Sequence, residues 1–280
     1  MRKYFCALLL GAALTCGRAD DRRIPVSAPM TTDLAGKSGG VAAVSVYRVV
    51  CPSANRTGTA FLHKSGQVLT AAHVVTNCEP SEIKLLTAMG QQIAVTNVVA
   101  DYEMDVALLF PAVPIQAGSL GISTNDQISI GKQVSTWGFP VGYDGLAPLL
   151  SSGYLSGIQQ VRRPSGQIKT QLVVNAAFNR GNSGGPLIDI ESGRVAGMVV
   201  SKLAPIPAEI EGAMEILRNE KGGYSRYVRK YSDGREERIS EAQLVGAVVD
   251  YLRSQVQLVI GTAVTSADLR GFLKTQGLEP

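Results

Sequence analysis

Ala176-Ala177-Phe178-Asn179-Arg180-Gly181-Asn182-Ser183-Gly184-Gly185-Pro186-Leu187 is the stretch that decides how this 280-residue chain reads. Ser183 stands between Gly181 and the pair Gly184-Gly185. Glycine admits backbone conformations closed to residues with a Cβ. Such a loop can turn its amide N–H groups inward and leave one hydroxyl exposed. Acyl transfer needs that combination, a nucleophilic oxygen beside amide donors for the oxyanion. Glycine loops around a serine also occur as plain turns, so a base and an orienting carboxylate have to come from elsewhere in the chain.

The chain has two histidines. One lies in Leu69-Thr70-Ala71-Ala72-His73-Val74-Val75, and a carboxylate lies in Glu103-Met104-Asp105-Val106-Ala107-Leu108-Leu109. The other, His63, sits beside a strand turn and is expected to be exposed. The order His73, Asp105, Ser183, with these flanks, resembles the trypsin-like serine proteases. The nucleophile loop, together with Gly138-Phe139-Pro140-Val141-Gly142 and Ser152-Gly153-Tyr154-Leu155-Ser156, resembles their HtrA/Deg branch. The resemblance runs from about Val41 to Ser201 and resumes near Val259.

It implies a mainly β fold: a chymotrypsin/trypsin-like double β-barrel with an α-containing insertion and a C-terminal helix. Ser183 would attack the scissile carbonyl, His73 would take its proton and later protonate the leaving amine, and Asp105 would hold the imidazole. The N–H groups of Gly181 and Ser183 would form the oxyanion hole. Asn182 stands where digestive relatives carry an activating aspartate, so activation by a freed N-terminus is not expected. Ala177 falls where relatives with basic specificity carry an aspartate, and no histidine follows His73. With Phe178, Val200, Ser201 and Lys202 as the remaining wall, a small or medium aliphatic residue is expected at the cut site. Lys202 could instead favour an acidic or polar neighbour. Arg180 is either a surface charge or a contact to a regulatory loop, and Trp137 is a core or cleft-wall residue.

At 45% hydrophobic and 18% charged, the chain is long enough to bury a sizeable core. Arg2 and Lys3 precede an apolar run from Phe5 to Leu14, with Gly17 and Ala19 after it. This reads as a secretory signal over 1–19, too short for a membrane span. A lipoprotein reading would acylate Cys16 instead. Removing Arg2, Lys3 and Arg18 leaves 24 basic against 23 acidic residues. That near-neutrality gives nucleic-acid binding no electrostatic support. Cys51 and Cys78 remain, and in an exported chain they suggest one disulfide, the alternative being two buried thiols. Cofactors are not expected, and neither a C-x-x-C pair nor a His-rich cluster points to a metal.

Residues 20–40 read as a polar arm. Strands are expected over Val41–Val50, Thr57–Leu62, Gln67–Thr70, Ile83–Leu86, Gln92–Val99 and Val106–Phe110, the first barrel covering about 41–118. Gln133–Gly138, Leu149–Gln160, Ile168–Val174, Pro186–Asp189 and Val195–Val200 would build the second barrel, over about 119–201 and 258–265. Between its last strands lies an insertion, 202–257. It has helical spacing over Pro207–Glu220, a hairpin around Ser232-Asp233-Gly234, and a Ser240/Gln243 capping box before a second helix. Its apolar faces need a packing partner: the second barrel, the cleft rim or another subunit, so an oligomer is possible. Tyr224, Tyr227 and Tyr231 interleave with basic residues there and read as a solvated hairpin in preference to an anion-binding surface. A last helix over about 266–276 closes the domain, with Gly277 as its stop.

The expectation is an exported serine endopeptidase, periplasmic or secreted, without the PDZ domain many relatives carry. Protein or peptide would be the substrate. The competing expectation is a catalytically silent or peptide-activated binding or chaperone-like protein on the same scaffold.

Overall fold

The computed structural model describes residues 39–125, 129–163, 165–202, 208–219, 227–230, 235–255 and 260–280. The leader expected over 1–19 and residues 20–38 of the arm expected over 20–40 lie outside them, while Gly39 and Gly40, expected in the arm, begin the first helix. Six strands close the first barrel: β1 Val46–Cys51, β2 Arg56–Leu62, β3 Val68–Thr70, β4 Lys84–Leu86, β5 Gln92–Asp101 and β6 Val106–Pro111, in the order β1-β2-β3-β6-β5-β4. Six more close the second: β7 Gln133–Gly138, β8 Leu149–Arg162, β9 Ile168–Asn175, β10 Pro186–Asp189, β11 Val195–Lys202 and β14 Gly261–Thr265, in the order β10-β11-β14-β9-β8-β7. Every pairing within the barrels is antiparallel. This is a chymotrypsin-like double β-barrel. Closure removes the exposed strand edges that an open sheet would leave.

The β-branched and aromatic residues of the strands explain where the core sits. Tyr47, Phe61, Leu69, Ile83, Leu85, Leu108 and Leu109 are fully buried in the first barrel. Val134, Leu155, Leu172, Val174, Leu187, Val199 and Ala263 form the core of the second, together with Phe178 of the nucleophile loop. Each buried Val, Leu, Ile or Phe among them stabilises the fold by roughly 1.5–3 kcal/mol.

Two expectations fail. The run Val41–Val50 is not one strand: Gly39–Ser45 is a short helix, α1, and β1 starts at Val46. Ala42 and Ala43 are buried there, and Ser45 Oγ donates to the carbonyls of Val41 and Gly118. These contacts to a distant segment outweigh the β propensity of Val41 and Val44. His63 is not exposed. It is fully buried at the end of β2, where it forms a bridge with Leu120.

Cys51 and Cys78 are disulfide-bonded. The bond closes the loop that carries β2, β3 and the short helix α2, Ala72–Val75. In the chain-entropy model a loop of this size contributes about 3–4 kcal/mol.

β11 and β14 are neighbours in the second barrel, and residues 203–260 run between them in sequence. Residues 205–256 belong to a compact unit separate from the barrels. In it α3, Ala208–Asn219, packs against α4, Glu241–Gln255. β12, Tyr227–Lys230, pairs with β13, Glu236–Ile239. The capping box forms as expected, with Ser240 N–H donating to Gln243 Oε1 at 3.0 Å and Gln243 N–H to Ser240 Oγ at 3.2 Å. The turn Ser232-Asp233-Gly234 lies outside the described residues, as do Tyr224 and Tyr231. The final helix α5, Ser266–Thr275, packs on β11 and β14 through a face that includes Leu269, Phe272 and Leu273. Its cap is Thr265, which accepts from Asp268 N–H at 3.1 Å. Gly277 follows at φ +71°.

Candidate active site

His73 lies on α2, directly after β3. Arg56 Nη1 donates to its carbonyl at 2.7 Å, which ties this single turn to β2. Asp105 occupies the turn between β5 and β6, at φ +58°. That left-handed conformation is uncommon for a residue with a side chain. Here it aims the carboxylate at His73. Asp105 Oδ1 accepts from His73 N–H at 2.9 Å, and Oδ2 lies 2.8 Å from His73 Nδ1. A carboxylate at Nδ1 selects the tautomer with its proton there and leaves Nε2 as the acceptor.

Ser183 faces the same cleft. Its volume is about 340 Å³, and its walls are His73, Phe178, Asn179, Arg180, Ser183, Val199 and Val200. Ser183 Oγ donates to the Val200 carbonyl at 3.2 Å. The nucleophile loop is fastened to the first barrel by Thr59. Thr59 N–H donates to the Ser183 carbonyl at 2.9 Å, and Thr59 Oγ1 donates to the Gly181 carbonyl at 2.6 Å while accepting from Phe139 N–H at 3.1 Å.

Two glycines in this loop are required by space as well as conformation. Gly181 has φ +97°, and a Cβ on it would stand 2.2 Å from the Phe139 carbonyl oxygen. Gly184 has φ +86°, with the Thr59 carbonyl oxygen 2.1 Å from a built Cβ. The Arg180 carbonyl accepts from Val141 N–H at 2.7 Å. In a trans peptide the carbonyl and the following N–H point opposite ways, so that bond directs the Gly181 N–H away from Val141. Among the described residues neither Gly181 N–H nor Ser183 N–H has a protein acceptor.

Of the expected pocket residues, Phe178 and Val200 line the cleft. Ala177 is exposed and its carbonyl accepts from Asn182 Nδ2 at 3.1 Å. The backbone of Ser201 and Lys202 continues β11, and their side chains lie outside the described residues. Asn179, Arg180 and Val199 belong to the wall and were not expected there. Thr59, Arg56 and Val141 were missed as supports, because their contacts join residues far apart in sequence. Trp137 is buried in the core, as expected. Among the described residues no group of His, Cys, Asp or Glu could hold a metal ion.

The model of the trypsin-like peptidase domain family matches residues 58–198. The chain is 28% identical over 140 residues to the periplasmic pH-dependent serine endoprotease DegQ of Escherichia coli strain K12, covering 50% of this chain and 30% of that protein. It is 29% identical over 140 residues to the periplasmic serine endoprotease DegP of the same strain, covering 50% and 28%. The chain thus spans less than a third of the length of these relatives. The active form of the Rv3671c protease of M. tuberculosis superposes with a TM-score of 0.58 at 19% identity, over 92% of this chain and 91% of that one, which speaks to the fold. With a family model matched over half its length and both barrels closed as that fold requires, the chain belongs to the trypsin-like peptidase domain family and is similar to its HtrA/Deg members.

Proposed function

We propose that the chain is a serine endopeptidase that hydrolyses protein substrates through His73, Asp105 and Ser183. One observation carries this reading: the Asp105-bound His73 and the glycine-flanked Ser183 open on one cleft. Ser183 Oγ leaves the Val200 carbonyl, gives its proton to His73 Nε2 and attacks the substrate carbonyl. Asp105 stabilises the imidazolium that forms. The free Gly181 and Ser183 N–H groups take the oxyanion. Collapse of the tetrahedral species expels the amine, which receives the proton from His73. Water then repeats the sequence on the acyl-enzyme. Phe178, Val199 and Val200 present an apolar wall with no carboxylate to pair a basic side chain, which supports small or medium aliphatic residues at the cut site.

The reading extends to export. The leader over 1–19, the Cys51–Cys78 bond and the word periplasmic in the names of DegQ and DegP all favour an oxidising compartment. A latent version, active only after peptide binds, is favoured by one contact: the Ser183 hydroxyl donates to the Val200 carbonyl and has to give up that bond to donate to His73.

The test is hydrolysis of unfolded casein by the purified protein and by Ser183→Ala. The wild type is expected to cleave and the variant to lose cleavage while keeping its fold. Equal cleavage by both overturns the assignment.

A further inference from the structure

Lys169 is misplaced by every rule of strand composition. β9 alternates, with Leu172 and Val174 turned into the second barrel and Lys169, Gln171 and Val173 on its other face. Yet Lys169 is only 5% exposed, while Ile168 beside it is 60% exposed. A lysine is almost never buried to this extent without a partner. Its hydrogen-bond partner lies in the turn of the first barrel that presents Asp105. Lys169 Nζ donates to the carbonyl of Met104, the residue directly before Asp105, at 2.5 Å.

The rest of that turn is held from the same side. Ser165 Oγ, in the loop between β8 and β9, donates to Glu103 Oε2 at 2.6 Å. Met104 N–H is bound internally to Asp101 Oδ1 at 2.7 Å. Asp105 itself sits in the left-handed region, a conformation that persists only where the surroundings impose it. The Met104 carbonyl belongs to the peptide that enters Asp105, so fixing that carbonyl fixes the plane from which the Asp105 side chain departs. Burial pushes the pKa of the ammonium down from the ordinary lysine value, a shift opposed by the charges of Asp268, Asp105 and Asp101 and aided by that of Arg163.

We propose that Lys169 is a positioning residue of the triad: from the second barrel it clamps the Met104 carbonyl, holds Asp105 in its left-handed conformation and so keeps the Asp105–His73 hydrogen bonds aligned. The clamp makes the geometry of the first barrel's His–Asp pair depend on the docking of the second barrel, which carries Ser183. This rests on the triad reading given above.

Three variants of the full chain decide it: Lys169→Met, Lys169→Gln and Lys169→Arg. Casein-peptide hydrolysis gives kcat and KM. The low-field NMR resonance of the proton between His73 Nδ1 and Asp105 reports the alignment without any turnover. Lys169→Met is expected to lose roughly 10- to 100-fold in kcat with KM little changed, and its His73 proton resonance should move upfield or broaden away. Lys169→Arg, which keeps charge and donors, should restore most of both signals, and Lys169→Gln, which keeps a donor alone, should fall between. A purely structural lysine would lower the melting temperature and leave kcat and the resonance alone. Wild-type kcat and an unshifted resonance in folded Lys169→Met overturn the proposal. Should that variant not fold, the same two readings on Lys169→Gln decide. Should the wild type show no Ser183-dependent turnover, the peptidase reading fails and the resonance alone decides the clamp.

Discussion

His63 offers a quantitative test of the fold through pH. It is fully buried, its Nδ1 accepts from Ser65 N–H at 3.3 Å and contacts Ser65 Oγ at 2.8 Å, and its buried Nε2 has no partner among the described residues. Burial, with the charge of Lys64 in second place, pushes its pKa down from 6.5 to about 4. The sign follows from proton counts. Above pH 6.5 both folded and unfolded forms carry the neutral ring, and no penalty exists. As pH falls from 6.5 toward 4, the unfolded chain takes up the proton and the folded one does not, so stability drops. A difference of this size corresponds to roughly 3 kcal/mol lost across that window. His63→Asn keeps an acceptor near Nδ1 and cannot ionise. Urea unfolding of both proteins, with the disulfide intact, should give wild type and variant parallel stability from pH 8 to 7. Below that the wild type should lose roughly 3 kcal/mol relative to the variant by pH 4. Carboxylates titrate alike in both proteins and cancel in the difference. If the two curves stay parallel down to pH 4, His63 is not held neutral, and the burial argument is wrong.

Two further changes probe the site and its frame. Gly181→Ala forces a Cβ to within 2.2 Å of the Phe139 carbonyl oxygen and disfavours φ +97°; kcat should fall by about 10²–10³ in a protein that still folds, measured on a chromogenic peptide. Replacing both Cys51 and Cys78 by serine should cost about 2–5 kcal/mol in urea unfolding, and a non-reduced tryptic digest of the wild type should recover the two as one linked pair.

What was legible in the sequence was what is local. The turns and alternation announced the barrel strands, and the flanks of His73, Asp105 and Ser183 announced which side chains would meet. The β9 and β11 boundaries moved by only a residue or two, since strand ends fray by that much in any assignment. What was not legible depends on residues distant in sequence. Val41 to Ser45 looked like strand until its packing against Gly118 is seen. His63 looked like a turn residue because nothing nearby predicts its bridge to Leu120. Thr59 joins Gly181, Ser183 and Phe139 across the two barrels, yet its neighbours show only an unremarkable strand. Nothing beside Lys169 in β9 announces its burial, which only the Met104 carbonyl opposite it accounts for.

Active-site labelling tests the central claim most directly. A fluorophosphonate reacts only with a serine whose hydroxyl is activated by a base and whose adduct is held by an oxyanion hole. Mass spectrometry of the labelled protein should find one adduct, on the peptide carrying Ser183, absent in Ser183→Ala and strongly reduced in His73→Ala. A wild-type protein that cleaves casein without modification at Ser183, or that carries the adduct on another serine, would contradict the account.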